Sequence, residues 1–135
     1  MTHYLLDTNH ASPLVTLDHP LRARIWSAIQ SGDTFALTAV NLAEVWYGIR
    51  LLPRAAQNQL EWQRLRPALW LYQVEERDAI EAAEIQLALR HHGRQLGTID
   101  AMLATIALRY GLTLLTTDAD FDAVPGPQLA NWLKP

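Results

Sequence analysis

The sequence contains no cysteine, which excludes a disulfide scaffold, a thiol nucleophile and any Cys-ligated zinc site. Lysine is nearly absent, with ten arginines standing beside the single Lys134. Schiff-base chemistry, P-loop phosphate binding and a receiver-type phosphorelay all need an internal lysine and are excluded with it. No apolar run approaches the roughly 18 residues of a membrane span. The opening MTHYLLDTNH also lacks the charged and apolar regions of a signal peptide, so the expected location is cytoplasmic. Positive charge is scarce too. A net charge of −3 argues against nucleic-acid binding through bulk basicity, while leaving room for a nuclease with an acidic pocket.

What is present is a chain of 135 residues, 50% hydrophobic and 19% charged, enough for one domain over 1–135 with a sizeable core. His3 to Leu6 reads as a buried strand ending at Asp7-Thr8-Asn9, and Phe35 to Thr38 as a second. Leu69 to Val74, Leu112 to Thr117 and Gln128 to Leu133 are the further strand candidates. Between them lie helical segments at Leu21–Ile29, Leu42–Ile49, Arg54–Leu69, Arg77–His92 and Asp100–Tyr110, the last closed by Gly111. Strands that are apolar throughout and alternate with helices predict an α/β fold, a central parallel sheet of four to five strands covered on both faces.

Most acids need no special account. Glu75, Glu76, Asp78, Glu81 and Glu84 open or line one helix and read as a solvated face. Four others are out of place. Asp7 and Asp118 each follow an apolar strand at its carboxyl end, where open parallel sheets form ligand sites. Asp100 shares a helix face with Leu103, Ala104 and Ala107, and Glu44 shares one with Val40, Tyr47 and Leu51. A carboxylate on a buried helix face is costly unless paired or bound to a cation. Ordinary roles compete at each position: helix capping for Asp7 and Asp100, snorkelling for Glu44, a turn with Asp120 and Asp122 for Asp118. Jointly the four stand out, because no basic residue adjoins any of them in sequence. Were they to converge, repulsion would raise their pKa values unless a cation held them together. An all-oxygen site suits Mg2+ or Mn2+, which polarises a phosphodiester and activates water for attack on phosphorus.

The segments LLDTN around Asp7, LAEVWYGI around Glu44, GTIDAMLATIAL around Asp100 and LLTTDADF around Asp118 resemble, in order and spacing, the PIN-domain nucleases. The closer resemblance is to the VapC toxins of bacterial toxin–antitoxin pairs. It implies a three-layer α/β/α fold, one or two Mg2+ or Mn2+ ions, and endoribonuclease activity. Carried over residue by residue, it makes Asp7, Asp100 and Asp118 metal ligands and Glu44 a ligand or the group that orients the attacking water, with Asp120 a rival for the fourth place. It further implies that Thr116 orients the site through its hydroxyl and that Thr8 and Asn9 shape the turn holding Asp7. A cognate antitoxin and a homodimer are the implied partners. Arg90 and Arg94, with His91 and His92 between them in sequence, and Arg54, Arg64 and Arg66 are candidate RNA contacts.

Five tryptophans, Trp26, Trp46, Trp62, Trp70 and Trp132, are expected mainly in the core, Trp46 on the apolar stripe with Leu42, Val45 and Ile49. Two other classes fail on the residues. A dinucleotide-binding domain needs a glycine-rich turn after its first strand, and Asp7 to Ser12 contains no glycine. An aspartyl-phosphate phosphatase needs a second Asp where Asn9 stands. A PIN-like module with a silent site and a PIN nuclease of RNA maturation that has no antitoxin are the rivals within the family.

Overall fold

The computed structural model describes residues 1–134. Five strands, β1 His3–Leu6, β2 Thr34–Thr38, β3 Trp70–Tyr72, β4 Thr113–Leu115 and β5 Gln128–Ala130, form one sheet in the order β3-β2-β1-β4-β5. Every pairing is parallel, as the unbroken apolar strands predict. The chain winds outward from β1 to β3, then crosses back to place β4 on the other side of β1. That reversal makes the β1/β4 junction the switch point of the sheet.

Six helices cover the two faces: α1 Thr8–Ala11, α2 Pro20–Gln30, α3 Ala39–Leu51, α4 Ala55–Leu65, α5 Glu76–His91 and α6 Thr98–Tyr110. Leu5, Leu114 and Phe121 join the apolar faces of α5 and α6 in one core. Leu6, Phe35, Leu37 and Leu115 join α2, α3 and α4 in the other. Successive residues of one strand thus enter different cores. Helix α6 is buried on most sides, as its composition predicts, and ends at Gly111 in the left-handed region at φ 66°, which a residue with a Cβ enters at a cost.

The strands are shorter than their sequences suggest. Leu112 and Thr117 have strand-forming side chains but lie outside the registers of β4 with β1 and β5, and the ladder ends where the Thr116 N–H donates to the Ala130 carbonyl at 3.0 Å. The polar helix stops at Leu65 and tightens into a 3₁₀ turn over Arg66–Ala68, because Pro67 has no N–H to continue the ladder. Of the tryptophans, Trp62 is buried, and Trp26, Trp46 and Trp132 pack against the core. Trp70 departs from the core expectation and is 62% exposed, because β3 is an edge strand with one side open to solvent.

One expectation about charge is corrected, and one further buried acid was not singled out in the sequence. Asp78 is not on a solvated face: it is 2% exposed, accepts from the Glu75 N–H and pairs with Arg109 of α6 at 2.8 Å. Glu61 of α4 is equally buried, paired with Arg22 and with Arg64, whose side chain is itself exposed. In both cases one partner comes from a distant helix, invisible to local sequence.

Leu5 and Leu6 are both fully buried, one in each core. Each single change to alanine is expected to cost about 2–5 kcal/mol in urea unfolding. A wild-type midpoint for either variant would mean that its face of the sheet is not covered.

Candidate active site

Asp7 is the first residue beyond β1. Its main-chain N–H donates to the Leu115 carbonyl of β4 at 3.0 Å, extending the β1/β4 ladder into the turn. Its side chain caps α1, with Oδ1 accepting from the Thr8 N–H at 2.7 Å. Oδ2 accepts from the Thr116 hydroxyl at 2.7 Å and from the Asn9 amide at 3.2 Å. The carboxylate is 6% exposed and bonded on both oxygens, so capping and site-building are one role here.

Thr116 follows β4 and faces Asp7 across the switch point. Its hydroxyl donates to Asp7 and accepts from the Asp118 N–H at 3.0 Å, so one oxygen fixes both acids. Asp118 Oδ1 accepts from the Asp120 N–H at 2.9 Å and caps the 3₁₀ turn Ala119–Ala123. Asp118 is half-buried and Asp120 is exposed.

Glu44 departs from the sequence expectation. It sits on an exposed side of α3, near Tyr47 and Leu51, each 68% exposed, so burial does not make it costly. What ties it to the others is Thr8, whose hydroxyl donates to Glu44 Oε1 at 3.1 Å. Asp100, half-buried in the first turn of α6, completes the group. Burial, then repulsion from Asp7, Asp118, Glu44 and, least, Asp120, pushes its carboxyl up to about 6. That repulsion puts Asp7, Glu44 and Asp118, each from a separate element, within electrostatic reach of Asp100.

No ion pair among the described residues involves Asp7, Glu44, Asp100 or Asp118, although Arg22, Arg64, Arg77 and Arg109 all pair with acids elsewhere. Among the described residues no three acids or histidines stand close enough to grip an ion by themselves. Carboxylate oxygens are the donors that a hard cation such as Mg2+ takes one or two at a time while keeping several waters. Of the basic residues named from sequence, Arg90, His91, His92 and Arg94 are exposed. Arg94 and His92 line a cavity of about 410 Å3 with Asp122 and Ala123, not the one beside Asp118. The cavity at Asp118, about 240 Å3, is lined by Thr117, Asp122, Asn131 and Lys134. Sequence reasoning passed over Lys134 as a neighbour of the acids; its being the chain's only lysine is the one signal that marked it.

The chain belongs to the PIN-domain family, whose model matches residues 4–127. It is 32% identical to ribonuclease VapC51 of Mycobacterium tuberculosis, with 98% of this chain and 93% of that protein covered. Its fold is similar to a VapBC2 structure of Rickettsia felis bound to a promoter DNA fragment, at TM-score 0.83 and 23% identity over 97% of this chain and 99% of that one. It is also similar to FitAcB of Neisseria gonorrhoeae, at TM-score 0.75 and 26% identity over 97% and 99% of the two chains.

The raised Asp100 pKa has a direction in pH. An unfolded Asp titrates near 3.8 and the folded one near 6, so the folded state holds this proton more tightly. The cost is full above pH 6, shrinks as pH falls and is gone below 3.8. His10 runs the other way: burial lowers it from 6.5 to about 4, so its contribution is present above 6.5 and lost on acidification towards 4. Comparing Asp100→Asn with wild type separates the two. In EDTA at pH 7 the variant is expected to be about 1 kcal/mol more stable, allowing for solvent screening of a half-exposed group. The gap should close by pH 4. A variant less stable than wild type at pH 7 would mean the carboxylate is favourably held.

Proposed function

We propose that the protein is a metal-dependent endoribonuclease acting as the toxin of a toxin–antitoxin pair. The observation that carries this reading is a set of four carboxylates that form no ion pair among the described residues, one of them raised to about 6 by burial and by repulsion from the others. Such an arrangement opposes folding and is retained where a cation is wanted. Ribonuclease VapC51, similar along nearly the whole chain, and the VapBC complexes of like fold support the substrate class and the partner.

Asp7, Asp100 and Asp118 would hold Mg2+ or Mn2+, with Glu44 a further ligand or the group that orients the attacking water. When bound, the ion would polarise the scissile phosphate and lower the pKa of a bound water. The rest falls to the chain's own side chains. Thr116 fixes the Asp7 carboxylate and the Asp118 backbone together. Thr8 holds Glu44 at an exposed edge, where an RNA strand would enter. Arg90 and Arg94 would contact phosphates further along the strand, and Lys134 the phosphate nearest Asp118. A basic antitoxin segment would inhibit by placing an Arg among the acids, in place of the cation. A homodimer and a cytoplasmic location go with this reading.

Purified protein with pooled cellular RNA tests it. Discrete fragments are expected with Mn2+ or Mg2+ and none with EDTA, and Asp100→Asn should lower cleavage at least about 100-fold. Cleavage that persists in EDTA or in the variant would remove the metal-carboxylate reading. A folded protein that neither cuts RNA nor binds Mn2+ would leave a silent binding module.

A further inference from the structure

Asp7 Oδ2 receives the Asn9 NH2, although an Asn side chain turned by half a rotation would offer its carbonyl instead. What decides the orientation lies at the other end of the sequence. The main-chain N–H of Trp132 can only donate, and it donates to His10 Nε2 at 3.0 Å. That nitrogen is therefore without a proton. The ring is fully buried with no acid paired to it, so it is neutral and carries its proton on Nδ1. Nδ1–H donates to Asn9 Oδ1 at 2.7 Å, and the Thr117 N–H donates to the same oxygen at 3.3 Å. With its oxygen taken by two donors, Asn9 has only its NH2 to offer Asp7.

The anchor of this chain of bonds is firm. The Trp132 ring packs edge-on against Tyr4 at 4.9 Å and Phe35 at 5.7 Å, and the Arg24 guanidinium lies 3.9 Å over its centre. The backbone N–H that sets the histidine tautomer is thus held by the core under β1 and β2.

We propose that His10 is a positioning residue of the acidic site: it locks the Asn9 amide so that Asp7 Oδ2 always carries two donors, leaving a defined set of lone pairs for a cation. This rests on the nuclease reading for its consequence, though not for its geometry. Second-sphere groups of this kind commonly alter metal affinity by 10–100-fold.

Three measurements test it. In wild-type protein, nitrogen NMR of the His10 ring is expected to show Nδ1 protonated and Nε2 bare; the opposite tautomer overturns the proposal outright, whatever any variant does. His10→Asn keeps a donor near the Nδ1 position and loses the acceptor for Trp132, whereas His10→Gln keeps reach to Trp132 and loses the donor to Asn9. His10→Gln should weaken Mn2+ binding about 10-fold in calorimetry and lower kcat with KM unchanged. His10→Asn should recover most of both, even at an equally reduced Tm. Equal losses in the two variants, tracking Tm, would make His10 a core anchor and nothing more. If wild-type protein binds no Mn2+ and cuts no RNA, the nuclease reading fails while the tautomer result stands separately.

Discussion

The site depends on the pairing of β1 with β4. Leu6 and Leu115 are register partners, and the ladder's last bond runs from the Asp7 N–H to the Leu115 carbonyl. That single parallel step puts residues 109 apart in sequence side by side, so that the Thr116 hydroxyl reaches Asp7 at 2.7 Å. Asp7 and Asp118 are both fixed by this contact. Asp118 is bound to the same hydroxyl, and Asn9 and Thr8 belong to the turn that Asp7 caps. A shift of one residue in register would send Leu5 and Leu6 to the wrong cores and separate Asp7 from Thr116 together. The fold's stability and the site's geometry are therefore set by the same strand pair.

Charge is handled differently in the two halves of the molecule. Away from the switch point, buried acids are neutralised in place: Glu61 by Arg22 and Arg64, Asp78 by Arg109. At the switch point, hydrogen bonds from neutral donors orient the acids, and among the described residues none of the four is in an ion pair, although Lys134 lines the cavity beside Asp118. Neutral donors fix direction without cancelling charge, so the repulsion felt at Asp100 persists. Orientation without neutralisation leaves room for an external cation, and a resident arginine would fill that room. The contrast between the two kinds of acid is thus more informative than the acidity of the site alone.

How much of this was legible in sequence follows from the range over which each cause acts. The parallel sheet was legible, because unbroken apolar strands between helices are a local pattern. So was the place of Asp7 directly after β1, whereas Asp118 stands two residues further from its strand than the sequence suggests, because β4 ends at Leu115. Glu44 was legible as unusual but for the wrong reason: periodicity showed it to lie off the main apolar stripe, yet could not show that no neighbour covers that side of α3. Asp78 and Glu61 were missed because their partners sit 31 and 39 residues away, on other helices. Strand lengths were overread because side-chain propensity continues past the point where a pairing strand ends.

His10 was the hardest to read, since a lone histidine in a one-turn helix gives no local signal. Its meaning depends on a backbone N–H 122 residues further on, delivered by the turn after β5. The reversal of winding at β1 explains why the two ends of the chain meet there: β5 pairs only with β4, which pairs with β1. The chain's exit therefore lies beside its first turn. The turn after β5 then reaches this region twice, with Lys134 in the cavity beside Asp118 and the Trp132 N–H on His10. Cutting the chain after β5 would remove no carboxylate, yet it would free the histidine ring, and with it the Asn9 amide, to turn. Trp132 is thus linked to Asp7, through His10 and Asn9, by bonds between uncharged groups until the last.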